Sequence, residues 1–112
     1  MHQRLIMAHG GAEGLQDLGL LQSALARPHN VMAYEPDADI SRLAASLTAG
    51  VVRNHPFVDG NKRIGFVAGI MLLELNGARF TATEEVATHM VIALAGSTID
   101  EVAYAEFLRE NT

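Results

Sequence analysis

The sequence contains no cysteine. That excludes disulfide scaffolds, thiolate zinc sites and cysteine nucleophiles. It has no basic excess either: eight Lys and Arg stand against thirteen Asp and Glu, a net charge of −5. Direct nucleic-acid binding is therefore not expected. No apolar run is clean enough to span a bilayer, because Glu74 and glycines interrupt the best candidate. The start lacks a charged region followed by an apolar stretch and a cleavage site. A cytoplasmic protein without membrane attachment is the expectation. Strict alternation of apolar residues is also missing, so strands are not expected. Repeats, low-complexity tracts and linkers are missing as well. What remains is 112 residues, 49% of them hydrophobic. That fits one compact domain over residues 1–112, with a core of its own and too apolar to be disordered.

The patterns are helical throughout. Residues 2 to 9 read as a short helix ending at Gly10 and Gly11. Asp17 caps a second helix carrying Leu18, Leu21, Ala24 and Leu25, expected to stop before Arg27 and Pro28. Residues 28 to 38, with two prolines, are expected to be a loop. Asp39 caps a third helix whose stripe is Ile40, Leu43, Ala44, Leu47 and Val51, ending near Asn54 because His55 precedes Pro56. A fourth begins around Asn61 and stops at Asn76 and Gly77. It is apolar nearly all round, so it is expected to be the buried centre of the domain, with Gly65 and Gly69 allowing close approach of neighbours. Thr83 and Asp100 cap a fifth and a sixth. The expected fold is all-α, a bundle of about six helices around a buried central helix.

One segment, HPFVDGNKR over residues 55–63, differs from the rest. Polar groups crowd the start of the Asn61 helix. The free N–H groups and dipole of that terminus make an anion site. Gly60 lets a ligand come close to the backbone. Asn61 caps the helix or donates a side-chain N–H to a phosphate. Lys62 and Arg63 stand where the dipole disfavours cations, which a bound anion would justify. Lys62 is also the sole lysine, beside seven arginines. Asp59 is a hard oxygen ligand suited to Mg²⁺. His55 has the intrinsic pKa for general-base work. Blander roles exist for each: His55 ends a helix, Asp59 and Asn61 cap one, Arg63 pairs with a surface carboxylate. Phe57 reads as an aromatic plug for the loop. Together the polar set matches phosphoryl or nucleotidyl transfer to a hydroxyl. The Gly-rich loop of P-loop nucleotide binders is missing.

The segment resembles the Fic motif, His-x-Phe-x-Asp/Glu-Gly/Ala-Asn-x-Arg. Within that superfamily the chain is similar to the death-on-curing (Doc) branch, the toxins of toxin–antitoxin pairs. The blocks HGGAEGLQDLGLLQSALARPHN, AYE and NHPFVDGNKRIGFVAGIMLLELNG carry the likeness over nearly the whole chain. The segment before His2 is shorter than in most family members. AMP-transferring Fic enzymes have glycine where Lys62 stands and a second arginine where Phe66 stands; Doc-like proteins share both departures. The resemblance thus implies a Doc-type helical bundle that uses ATP and Mg²⁺ to phosphorylate elongation factor Tu. It makes His55 the base, Asp59 the metal ligand, and Gly60, Asn61, Lys62 and Arg63 the phosphate site. It makes Asn30, Val31, Met32, Ala33, Tyr34 and Glu35 a target-docking flap, unless Tyr34 packs on the core. Self-inhibited Fic proteins carry Ser/Thr-x-x-x-Glu-Gly/Asn. Here Ser97 to Glu101 is followed by Val102, and Thr81 to Glu85 by Val86, so an antitoxin in trans is implied. Rival activities are AMP transfer to a protein hydroxyl, phosphate release without a protein target, and a catalytically silent binding module.

Overall fold

The computed structural model describes residues 14–112. The helix expected over residues 2 to 9 lies outside them. Five helices follow: α1 (Leu18–Tyr34), α2 (Ile40–Asn54), α3 (Asn61–Leu75), α4 (Glu84–Ala95) and α5 (Glu101–Glu110). The described residues form an all-α fold whose only β-type pairing is one bridge between Leu15 and Phe57.

Capping explains four of the five starts. Asp17, Asp39, Thr83 and Asp100 each accept a hydrogen bond from the backbone N–H three residues on. Gly77, at φ 89°, turns the chain out of α3, and the Ala78 N–H reaches back to the Leu73 carbonyl at 3.0 Å.

Two expectations change. First, α1 does not stop at Arg27; it runs through Pro28 to Tyr34, and the connection to α2 is only residues 35–39. A proline inside a helix removes a hydrogen bond and costs about 3 kcal/mol. Packing on both sides of it offsets that. Before it, fully buried Ala24 lies against Gly50 of α2, where an added Cβ would stand 3.1 Å from the Ala24 Cα. After it, Val31 is buried and its carbonyl accepts the Glu35 N–H at 2.7 Å.

Second, the central helix is α2, not α3. Every residue from Ala44 to Val52 is buried. Its small side chains, Ala44, Ala45, Ser46, Ala49 and Gly50, let helices close in from several sides. Helix α3 buries only Asn61, Gly65, Gly69 and Leu73, and leaves Met71 56% and Leu75 79% exposed. Its glycines do bring it against α2. A Cβ at Gly65 would meet Val52, Val51 and the Thr48 carbonyl at 3.1–3.2 Å, and one at Gly69 would run into Thr48 Oγ1. The Thr48 hydroxyl donates across this seam to the Gly65 carbonyl at 2.8 Å.

Helix α5 closes the far side of α2, burying Tyr104, Ala105, Phe107 and Leu108 in one core with Ala44, Ala45, Ala49 and Val52. Phe107 stacks edge-on with Phe80, and Phe80 with Phe66 of α3. Glu101, at the start of α5, holds Arg27 of α1 through both carboxylate oxygens at 2.8 and 2.9 Å and pairs with Arg42 of α2. One carboxylate thereby ties three helices.

Candidate active site

The loop between α2 and α3 is held mainly by its own backbone. Pro56 is fully buried, and its carbonyl accepts the Gln16 and Asp17 N–H groups at 2.7 and 3.0 Å. The Val58 N–H donates to the Gly14 carbonyl at 2.7 Å. Residues 14–17 therefore clamp the loop beside the end of α2, with Leu15 bridged to Phe57. Pro56 is the plug; Phe57 is half-buried and is anchored through its peptide.

His55 is the C-cap of α2, at φ 52°, ψ 54° in the left-handed region. Its side chain is exposed. Its Nδ1 lies 3.2 Å from Nδ2 of Asn61. The loop thus brings the end of one helix back onto the start of the next.

Asn61 is buried, 5% exposed, and is the hinge of the site. Its Oδ1 accepts the Phe57 N–H at 3.0 Å, and its Nδ2 donates to the Phe57 carbonyl at 2.9 Å. The side chain is fully used in holding the loop. Of the two roles the sequence allows it, neither capping nor side-chain donation to a phosphate is the one it takes. What it offers an anion is its backbone N–H.

That N–H belongs to the one described helix start without a side-chain cap. The N-cap of α3 is Gly60, at φ 76°, with no side-chain hydrogen bond. A Cβ there would meet only Ile64 Cδ1, at 3.8 Å, so the space in front is open. Asp59 does not cap α3 either. Its Oδ1 accepts the Gly60 N–H at 2.8 Å, and its carboxylate is exposed. The first-turn N–H groups of Asn61, Lys62 and Arg63 are left for an outside acceptor. Lys62 and Arg63 are exposed and pair with no carboxylate among the described residues.

A cavity of about 360 Å³ opens beside this terminus, between α3 and α4, with Lys62 and Arg63 on its wall. Phe66, Val67, Val91 and Ile92 supply apolar surface, and Glu84 and Thr88 supply polar groups. It falls in the size range of small-molecule sites. Sequence reading missed the α4 wall. Its signal was the spacing of Glu84, Thr88 and Ile92, one turn apart on a single face; Glu84 reads more simply as a carboxylate suited to the helix dipole.

The flap assignment does not hold. Asn30, Val31, Met32, Ala33 and Tyr34 are the last turns of α1, and Glu35 is its C-cap. Helices α1 and α2 run antiparallel: Asn54 Nδ2 donates to the Leu20 carbonyl, while Glu35 pairs with Arg42 at 3.0 Å. From Arg42 to His55 is about 20 Å of helix. The segment therefore sits at the opposite end of α2 from the site. Tyr34 does not pack on the core; it is 87% exposed.

Comparison with known proteins agrees with this architecture. The family described as Fic/DOC family matches residues 1–73. Toxin Doc of Mycolicibacterium smegmatis is 41% identical over 83 residues, 71% of this chain and 62% of that protein. Protein kinase doc of Escherichia phage P1 is 29% identical over 109 residues, 97% of this chain and 86% of that one. The chain therefore matches less than two thirds of the mycobacterial protein's length. The chain belongs to the Fic/Doc family.

Proposed function

We propose that the chain is the toxin of a toxin–antitoxin pair and transfers the γ-phosphoryl group of ATP to a hydroxyl of a translation factor, elongation factor Tu, in the cytoplasm. The observation that carries this is the uncapped start of α3, with His55 and Asp59 on the same loop and Lys62 and Arg63 in the first turn. The hydroxyl oxygen attacks the γ-phosphorus, the bond to the β–γ bridging oxygen breaks, ADP leaves, and His55 takes the hydroxyl proton. The N–H groups of Asn61, Lys62 and Arg63 hold phosphate oxygens, and the two cations offset their charge. The cavity between α3 and α4 takes the nucleoside. Phe66 forms part of its apolar wall at the position where AMP-transferring Fic enzymes carry a second arginine, and a site without that second clamp favours γ over α transfer.

Asp59 fits a magnesium ion. One carboxylate oxygen is spent on the Gly60 N–H and the other is open beside the phosphate site. Magnesium binds through one or two carboxylates plus substrate phosphates and water. No cluster of three or more His, Asp or Glu that would make an all-protein cage occurs among the described residues. When bound, the ion neutralises charge on the phosphates. An antitoxin in trans restrains the activity, in keeping with the name of the mycobacterial relative. The kinase assignment is in keeping with the name of the phage relative. No described helix is long and apolar enough to cross a membrane.

The test uses the full chain, Mg²⁺ and elongation factor Tu, with ATP labelled at either the γ- or the α-phosphate and His55→Ala as control. Transfer from the γ position alone, lost in the variant, is expected. Transfer from the α position would make the chain an AMP transferase. Phosphate release without labelled protein would make it a phosphohydrolase. No turnover of either label would leave the binding module.

A further inference from the structure

The amide of Asn61 has one permitted orientation. Its Oδ1 faces the Phe57 N–H at 3.0 Å and its Nδ2 faces the Phe57 carbonyl at 2.9 Å. Turning it over would set donor against donor and acceptor against acceptor, in a side chain only 5% exposed. Among the described residues, the second hydrogen on Nδ2 then has one partner, Nδ1 of His55 at 3.2 Å. Flipping the imidazole instead would put a C–H against that hydrogen and leave it unsatisfied. Nδ1 must therefore accept. A neutral imidazole that accepts at one nitrogen carries its proton on the other.

We propose that Asn61 is a positioning residue that selects the Nε2–H tautomer of His55, so that the resting site presents a hydrogen-bond donor at the ring's free nitrogen. That donor suits a phosphate oxygen. For His55 to accept a hydroxyl proton at Nε2, a proton must first leave Nε2 to water and another arrive at Nδ1 from water, with Asn61 giving up its contact. The exchange is net neutral and consumes nothing. The tautomer rests on the geometry alone; its bearing on transfer rests on the proposed function.

The test is a long-range ¹H–¹⁵N correlation of the histidine rings in the uniformly labelled full chain, at a pH where the rings are neutral. His29 and His89, both exposed, are internal references. Expected is an unprotonated Nδ1 and protonated Nε2 for His55, without the tautomer mixture of His29 and His89, and a scalar coupling across the hydrogen bond from Asn61 Nδ2. In Asn61→Ala the coupling is lost and His55 moves toward the two references. A protonated Nδ1, a wild-type ring matching the references, or a spectrum unchanged in Asn61→Ala would overturn the proposal. Should Asn61→Ala not fold, the wild-type comparison decides alone. No substrate is present, so failure here is separable from failure of the phosphotransfer assay.

Discussion

His55 lies in the left-handed region, where helix ends usually place glycine and an L-residue pays about 1 kcal/mol. That strain is kept at the residue assigned the proton transfer, which is where strain tends to concentrate. His55→Gly is expected to raise stability by about 1 kcal/mol, seen as a higher melting temperature by circular dichroism, while transfer is abolished. A less stable variant would mean the Asn61 contact outweighs the strain. Tyr104 is a second case. It is fully buried, and its hydroxyl has no hydrogen-bond partner among the described residues. Burial pushes that hydroxyl's pKa well up; Thr48 lies near enough to temper the shift, but not in hydrogen-bonding geometry. Removing an unsatisfied buried hydroxyl recovers about 1–3 kcal/mol of desolvation. Tyr104→Phe is therefore expected to be neutral to stabilising in urea denaturation; a loss above about 1 kcal/mol would point to a partner for the hydroxyl.

Among the elements, the α2–α3 seam is the tightest contact. Thr48 Oγ1 occupies the space a Gly69 side chain would need. Gly69→Ala is expected to cost about 1–3 kcal/mol by overpacking despite its better helix propensity; a variant at least as stable as the parent in denaturant unfolding would show that the seam can open. The start of α2 is pinned to α5 by Arg109, which donates to both oxygens of Asp39 at 2.6 and 3.0 Å. The Arg109 hydrogen bond holds the Asp39 pKa below its ordinary 3.8. The folded chain thus binds that proton less readily than the unfolded one. The stabilisation is complete above pH 3.8 and is lost as pH falls through the lower folded value. Melting temperatures are expected to fall over that acid limb, less steeply in Asp39→Asn, which keeps the cap; parallel slopes would remove Asp39 from the account. Helix starts were legible because Asp17, Asp39, Thr83 and Asp100 act locally. The length of α1 was not, since what carries it through Pro28 is tertiary packing on both sides of it, Ala24 against Gly50 of another helix before it and buried Val31 after it. The burial of α3 was misjudged because apolarity says what a face tolerates, while α2 became the centre through small side chains that score weakly as hydrophobic.

At the scale of the molecule, a chain of net charge −5 gathers its one lysine, an arginine and an uncapped helix start at one end of its central helix. That concentration, more than any single residue, is why the motif was legible: HPFVDGNKR is local in sequence and closes in one loop. The flap was not legible, because its place depends on α1 running antiparallel to α2, which turns Tyr34 away from His55. The cavity wall on α4 was not legible either, since Glu84, Thr88 and Ile92 acquire meaning only against Phe66 and Val67. In the reaction proposed for it, this site moves one phosphoryl group onto a protein hydroxyl. The most direct measurement is the intact mass of elongation factor Tu after incubation with ATP, Mg²⁺ and either the wild-type chain or His55→Ala. A gain of one phosphoryl group is expected with the wild type and none with the variant. A gain of one AMP, or an unmodified factor with both chains, would contradict it.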